Sequence, residues 1–381
     1  MVKIIHCSDI NLDKSLGISD PAKAAVRRQD IRSAFTQMIT DATEKEVDIV
    51  VISGGLFDRR NVSRQTVEFL ISSFRSCPSC KFIIAPGKSD YYTADSVYQM
   101  VKFPDNVYVF KNDGVTCFDF DIRGEKVCAY GVSYVSSSMY GNPLDSFKAE
   151  SADSINLLVM NCSISGNNGD FAPSLASLVR SGIDYCAFSG GGASAGIFDE
   201  GDMWYAYPGS LEYSGFDSFN NGGYVIVEAE KKNSDFICKP RMVSVSRKKH
   251  ITEAVNVAGS MTSDEVVLAV KEKLDKRQDL DENTLLRIVL TGDVAPEVRS
   301  FERGILDLAQ ERNVFHAELT DNTVPLYSYE YLSSDQTLKG ALFNAFRPAI
   351  CSEDEMIRKQ ATQALRIGLD ALNGEDVGKA N

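Results

Sequence analysis

Three short, nearly continuous apolar runs, each ending in a polar loop, constrain this chain most. They are Val2–Cys7, Val47–Ser53 (VDIVVIS) and Lys81–Ala85. A run of this kind reads as a strand buried on both faces, which requires layers on either side. Between the runs, Arg28–Lys45 carries Ile31, Phe35, Met38 and Ile39 at helical spacing, and Thr66–Ser76 reads as a second helix. The order is strand, loop, helix, repeated, with the polar loops at the carboxyl ends of the strands, where open α/β sheets gather their sites.

The alternation continues. Val107–Phe110, Val115–Phe120, Lys126–Val132, Asn156–Met160, Tyr185–Phe188 and Gly223–Glu228 read as strands, with a helix at Leu175–Ser181. Residues 1–247 are expected to form one layered α/β domain. Residues 248–333 then alternate again as a small α/β domain: helix Thr262–Asp275 with Thr262 as N-cap and Glu265 completing a capping box, strand Leu285–Thr291, helix Pro296–Gln310, strand Val314–Leu319. Residues 334–381 are read as a linker, Ser334–Cys351, and a C-terminal helix over Ser352–Asn373. Ser352 and Glu355 fit a capping box there, and Gly374 suits the C-cap.

The loop residues that should carry chemistry come in four segments. They are Ser8-Asp9-Ile10-Asn11-Leu12-Asp13, Gly54-Gly55-Leu56-Phe57-Asp58, Gly87-Lys88-Ser89-Asp90 and Ser189-Gly190-Gly191-Gly192. With the strings KIIHCSDINLD, VISGGLFDRR, IAPGKSD, YPGSLEYSGFD and GGYVIVE, they resemble the SbcD family of DNA double-strand-break nucleases, which are calcineurin-like metallophosphoesterases. The C-terminal IRKQATQALRIGLDALNG resembles the last helix of bacterial relatives, the putative DNA-repair exonucleases. The resemblance implies a layered metallophosphoesterase domain, a small α/β capping domain and a C-terminal helix.

The family carries D-x-H, G-D-x-x-D, G-N-H-D and G-H-x-H at these loops and holds two Mn ions. Carried over position by position, most ligands are gone. Asp9 is kept, but the paired histidine is Asn11. The bridging aspartate falls on Gly55, while the second aspartate of that motif stays as Asp58. The metal-binding asparagine is Lys88, the assisting histidine is Ser89, and Asp90 follows. A later strand-end histidine falls on Asn161, and the G-H-x-H pair falls on Gly190 and Gly192. The chain has three histidines, His6, His250 and His316, none at a ligand position. Two ions about 3.5–4 Å apart need a bridging carboxylate and several further ligands. No metal and no cofactor are therefore expected, and no catalytic residue is assigned. Lys88 is expected to stand in for the lost positive charge by pairing with Asp9, Asp58 or Asp90, and the glycine run to be an eroded loop rather than an anion nest.

Partners follow from the same resemblance. It implies docking of the C-terminal helix, through Ile357, Ala361, Leu365 and Leu372, on the coiled-coil base of an SbcC-like ATPase, with DNA reached through that complex. It also implies a homodimer. Lys239, Arg241, Arg247, Lys248 and Lys249 are read as a solvated hinge rather than a nucleic-acid strip. The net charge of −13 argues against broad non-specific nucleic-acid binding. Nine scattered cysteines do not form a disulfide framework, and Cys77-Pro-Ser-Cys80 lacks a second pair for zinc. No targeting segment or membrane span is seen, so a cytoplasmic protein is expected. Three functions stay open: an inactive SbcD-like scaffold or regulator, a working phosphoesterase built on Asp9, Asn11, Asp58, Asp90 and Asn161, and an interaction protein unconnected with DNA.

Overall fold

The computed structural model describes residues 1–14, 18, 20–164, 171–190, 194–201, 203–212, 215–216, 222–232, 235–295, 298, 300–326 and 328–372. These fall into two compact units, Met1–Ile251 with Asn283–Leu285, and Thr252–Glu282 with Leu286–Asn381. In the first unit the elements run β1 (Val2–Cys7), α1 (Pro21–Glu44), β2 (Ile49–Ile52), α2 (Arg64–Ser76), β3 (Lys81–Ile84), α3 (Val97–Met100), β4 (Val107–Val109), β5 (Thr116–Ile122), β6 (Glu125–Gly131), β7 (Ile155–Asn161), α4 (Leu175–Arg180), β8 (Tyr185–Ser189), β9 (Gly196–Asp199), β10 (Trp204–Tyr207), β11 (Gly223–Lys232) and β12 (Asp235–Ser244).

Two six-stranded sheets result, ordered β12-β11-β1-β2-β3-β4 and β5-β6-β7-β8-β10-β9. The central pairings are parallel, β1 through β4 in one sheet and β6-β7-β8-β10 in the other. Strands β5, β9, β11 and β12 are joined antiparallel at the margins. The apolar runs explain the layering. Ile4, Val51 and Ile83 face the second sheet's Val127, Leu157 and Ala187 in one core, while Ile5, Val50 and Phe82 face Phe35 of α1 and Phe74 of α2 in another. Ser63 caps α2 by accepting from Thr66 N, and Asp20 caps α1 by accepting from Ala22 N and Lys23 N.

The second unit carries β13 (Lys249–Asn256), α5 (Ser263–Asp275), β14 (Thr284–Val294), α6 (Glu302–Glu311) and β15 (His316–Pro325), with sheet order β13-β14-β15. Helices α7 (Tyr329–Ser334), α8 (Leu338–Ile350) and α9 (Glu355–Leu372) follow. Thr262 caps α5 as expected, and the Glu265 carboxylate reaches back to Met261 N.

Several expectations are corrected here. Most of the segment read as a linker, Ser334–Cys351, is the helix α8. Helix α9 is capped by Asp354, which accepts from Met356 N at 2.8 Å, rather than by a box from Ser352 to Glu355. Helix α6 starts at Glu302; residues 296–297, with the supposed first-turn proline, and Gly374 lie outside the described residues. The basic stretch is divided: Lys239, Arg241 and Arg247 are exposed, as expected, but Lys248 is not. Lys239 and Arg241 lie in β12. Lys248 is buried, 2.9 Å from Asn283 Oδ1 and 3.9 Å from Asp30. Beside it Arg27 pairs with Glu212 at 3.0 Å and Asp30 at 3.1 Å, all buried. The apolar stripe of α9 is also divided. Ala361 and Leu365 are buried with Leu369 against Phe343 and Ile350 of α8, so they belong to this chain's own core. Ile357 and Leu372 stay exposed.

Candidate functional site

The parallel strands of both sheets deliver their loops to one edge of the first unit. The loop after β1 runs alongside the loop after β2: Asp9 N donates to Gly54 O at 3.0 Å, Asn11 N to Gly55 O at 2.7 Å, and Leu12 N to Leu56 O at 3.1 Å. Asp9, Asn11 and Asp13 all have positive φ, 45°, 55° and 62°. Asp and Asn tolerate that region better than most residues, so these residue types fit the shape of the loop. From the second sheet, Asn161 at the end of β7 donates to Ser189 Oγ at 2.6 Å and to Ser53 O at 3.4 Å, and Ser189 Oγ itself donates to Ser53 O. His6 lies beneath, fully buried, against Tyr185 Oη, Ser53 Oγ and the Phe188 carbonyl. Burial holds His6 down at a pKa of about 3, so it is a neutral packing residue.

The carboxylates divide into different roles. Asp90 points into the protein. Its Oδ1 accepts from Gly55 N at 3.0 Å and Gly87 N at 2.8 Å, and its Oδ2 accepts from Leu56 N at 2.9 Å and Tyr98 Oη at 2.7 Å. Burial pushes its pKa up, and those donors pull it back. Asp90 therefore clamps two loops and is fully used by them. Asp58 closes its own turn, accepting from Arg60 N at 3.0 Å and Asn61 Nδ2 at 2.8 Å. Asn11 donates its side chain to Asp9 O at 2.9 Å. Asp9 has its pKa raised to about 6 by burial, with Lys14 opposing that shift.

Lys88 does not replace the metal charge. Its side chain is exposed and makes no ion pair among the described residues; its backbone N donates to Asn161 Oδ1 at 3.4 Å. Ser89 is exposed beside it. The loop clamped by Asp90 presents its backbone to Asn161 and turns both side chains outward. The cation that acts on Asp9 is Lys14, which no motif marks. Tyr98, whose hydroxyl donates to Asp90, was also missed, because a hydroxyl used in this way leaves no spacing signature.

The residues do not fit a pair of metal ions. A Cβ at Gly55 would lie 2.7 Å from Asp9 Oδ1 and 2.9 Å from Asp9 Cα, and Gly55 has φ +68°. A Cβ at Gly190 would lie 2.9 Å from the Cys162 carbonyl carbon. Gly54 and Gly87 press on Asn161 in the same way, at 2.8 Å each. A side chain at Gly55 would therefore start against Asp9, and one at Gly190 against the Cys162 backbone. Gly192 lies outside the described residues.

Two packed sheets with loops gathered at their parallel strand ends make a layered α/β fold consistent with that of calcineurin-like phosphoesterases. Residues 2–190 match the calcineurin-like phosphoesterase family. The uncharacterized metallophosphoesterase YhaO of Bacillus subtilis is 24% identical over 84% of this chain and 81% of its own length. The DNA double-strand break repair protein Mre11 of Saccharolobus solfataricus is 26% identical over 59% of this chain and 60% of its own. Among solved structures, GAP50, the anchor in the inner membrane complex of Plasmodium, aligns over 64% of this chain and 84% of its own at 11% identity, with a TM-score of 0.34. No helix among the described residues is long and apolar enough to cross a membrane.

Proposed function

We propose that this chain is a catalytically inactive relative of SbcD-like nuclease subunits, a scaffold or regulator for an SbcC-like SMC-type ATPase in DNA repair. The observation that supports inactivity is the crowding at Gly55. A bridging carboxylate cannot be accommodated there without moving Asp9, the aspartate kept from the first ligand pair. Without bridged metals nothing in the pocket generates hydroxide near neutral pH or neutralises a phosphodiester in its transition state. The relation to Mre11 and the exposed residues Met356, Ile357 and Leu372 on α9 support the partner assignment. Elemental analysis of the purified chain should find no pair of Mn or Fe ions, and a coiled-coil ATPase should co-purify with it. Two strand-end metals lost in Asp9→Ala would overturn the inactive reading. Partners without any ATPase or DNA connection would favour a general interaction platform instead.

One observation favours the second reading, a working phosphoesterase at an unorthodox site. Burial raises the Asp9 carboxyl to about 6, a value suited to proton transfer near neutrality. That reading requires phosphodiester turnover that disappears in Asp9→Asn.

A further inference from the structure

The outer face of the second sheet carries an unassigned cluster of soft ligands, far in type from the strand-end pocket. Strand alternation sends Phe118 and Phe120 of β5 inward to the sandwich core and Cys117 and Asp119 outward. In the antiparallel β5–β6 pair, Asp119 is opposite Cys128 and Cys117 is opposite Tyr130, so both thiols and the carboxylate share one face. Ligand atoms of Cys117, Asp119 and Cys128 all lie within 4.8 Å of one another, and Cys117 Sγ is 3.5 Å from Asp119 Oδ1. No other three His, Cys, Asp or Glu side chains converge in this way among the described residues. A second observation comes from the next strand. Asn156 of β7 is the register partner of Cys128, and its buried Oδ1 has no hydrogen-bond partner among the described residues. A buried acceptor left without a donor marks a place for a bound water or ion.

We propose that Cys117, Cys128 and Asp119 form a binding site for one borderline-soft divalent cation of the zinc class, with the fourth position open to water. Zinc–sulfur and zinc–oxygen bonds of about 2.3 and 2.1 Å place tetrahedral ligand atoms roughly 3.5–3.8 Å apart. The Cys117–Asp119 separation already has that value, and rotation of half-buried side chains supplies the remainder. Burial, reinforced by Asp119, holds both thiols in the protonated form. A bound cation reverses that balance. On binding, the two S–H bonds break, both protons pass to solvent, and two metal–sulfur bonds form; the carboxylate adds one oxygen and nothing is oxidised. Because β5 is an edge strand, the ion would pin the sheet margin to β6. The site is independent of whether the strand-end pocket is active.

The test uses the full-length chain, stripped with a chelator under reducing conditions and titrated with Co²⁺ and then Zn²⁺. One Co²⁺ per chain should give thiolate-to-metal charge-transfer absorption, and one Zn²⁺ should displace it. Affinity should rise by up to about 100-fold per pH unit while both thiols are protonated. Cys117→Ser with Cys128→Ser should abolish the band, Asp119→Asn should weaken binding at least tenfold, and Cys351→Ser, at an exposed thiol of the other unit, should leave it unchanged. An unchanged thermal melt of the double variant keeps its loss of binding interpretable. Absence of the band in the native chain overturns the proposal, and so does a band that survives the double variant. A Cys117–Cys128 disulfide with no cobalt binding after reduction also overturns it.

Discussion

Replacing Asp90 by Asn should destabilise the first unit although the change is one atom. The carboxylate accepts from three backbone amides and from Tyr98 Oη at 2.7–3.0 Å, and it is fully buried. An asparagine must turn its NH₂ toward one pair of donors. Facing the Oδ2 pair, it can still meet Tyr98, whose hydroxyl can reverse, but it leaves Leu56 N–H unpaired. An orphaned buried amide costs about 1–3 kcal/mol. The two remaining amide bonds lose their charge assistance, at about 1 kcal/mol each. The neutral side chain recovers part of this through cheaper desolvation. The net expectation is a loss of about 2–4 kcal/mol, with Tyr98→Phe losing about 1–2 kcal/mol and the two losses coupling in a double-mutant cycle. Urea unfolding followed by the fluorescence of Trp204, the sole tryptophan and a residue of the first unit, reads this directly. A change below about 0.5 kcal/mol at constant m-value would show that Asp90 does not clamp the loops.

Three further outcomes follow from the geometry. Asp9 has its pKa raised from 3.8 to about 6, so its contribution to stability is complete below its unfolded value and is lost as pH rises through 6. Between pH 4 and 7, Asp9→Asn should gain on the native chain by about 1–3 kcal/mol, partial solvent access keeping it below the full ~3; parallel pH–stability curves for the two proteins would contradict this. Gly55→Asp, which restores the missing bridge, should cost about 2–4 kcal/mol through the left-handed backbone and the collision with Asp9, and calorimetric titration should find no Mn²⁺ binding gained. Leu365→Glu should cost about 3 kcal/mol or more in the α8–α9 cluster, whereas Ile357→Glu should leave the melt unchanged and impair only partner capture; equal effects of both on stability would refute the division of the helix face.

The layered fold was legible because its strands are continuous apolar runs. Ile49–Ile52 is buried at every position, as a strand covered on both faces is. Strand β12 was not legible: it alternates exposed and half-buried residues and contains Pro240, which an edge strand tolerates but a sequence pattern reads as a break. Helix α8 hid behind Gly340 and Pro348. At the pocket, the erosion of the ligand set could be read position by position, because a glycine cannot coordinate through a side chain. The direction of Lys88 could not, since it depends on Asp90 locking the Gly87 and Gly55 amides. The inward turn of Asp90 is a property of paired loops, which residue spacing does not encode.

The most direct measurement is phosphodiester hydrolysis by the purified full-length chain in excess Mn²⁺, with single- and double-stranded DNA and a chromogenic phosphodiester as substrates, beside Asp9→Asn as background. The crowded Gly55–Asp9 contact predicts no turnover above that background at any pH from 5 to 9. Manganese-dependent hydrolysis that vanishes in Asp9→Asn would contradict the inactive assignment and would place a working centre at the strand ends.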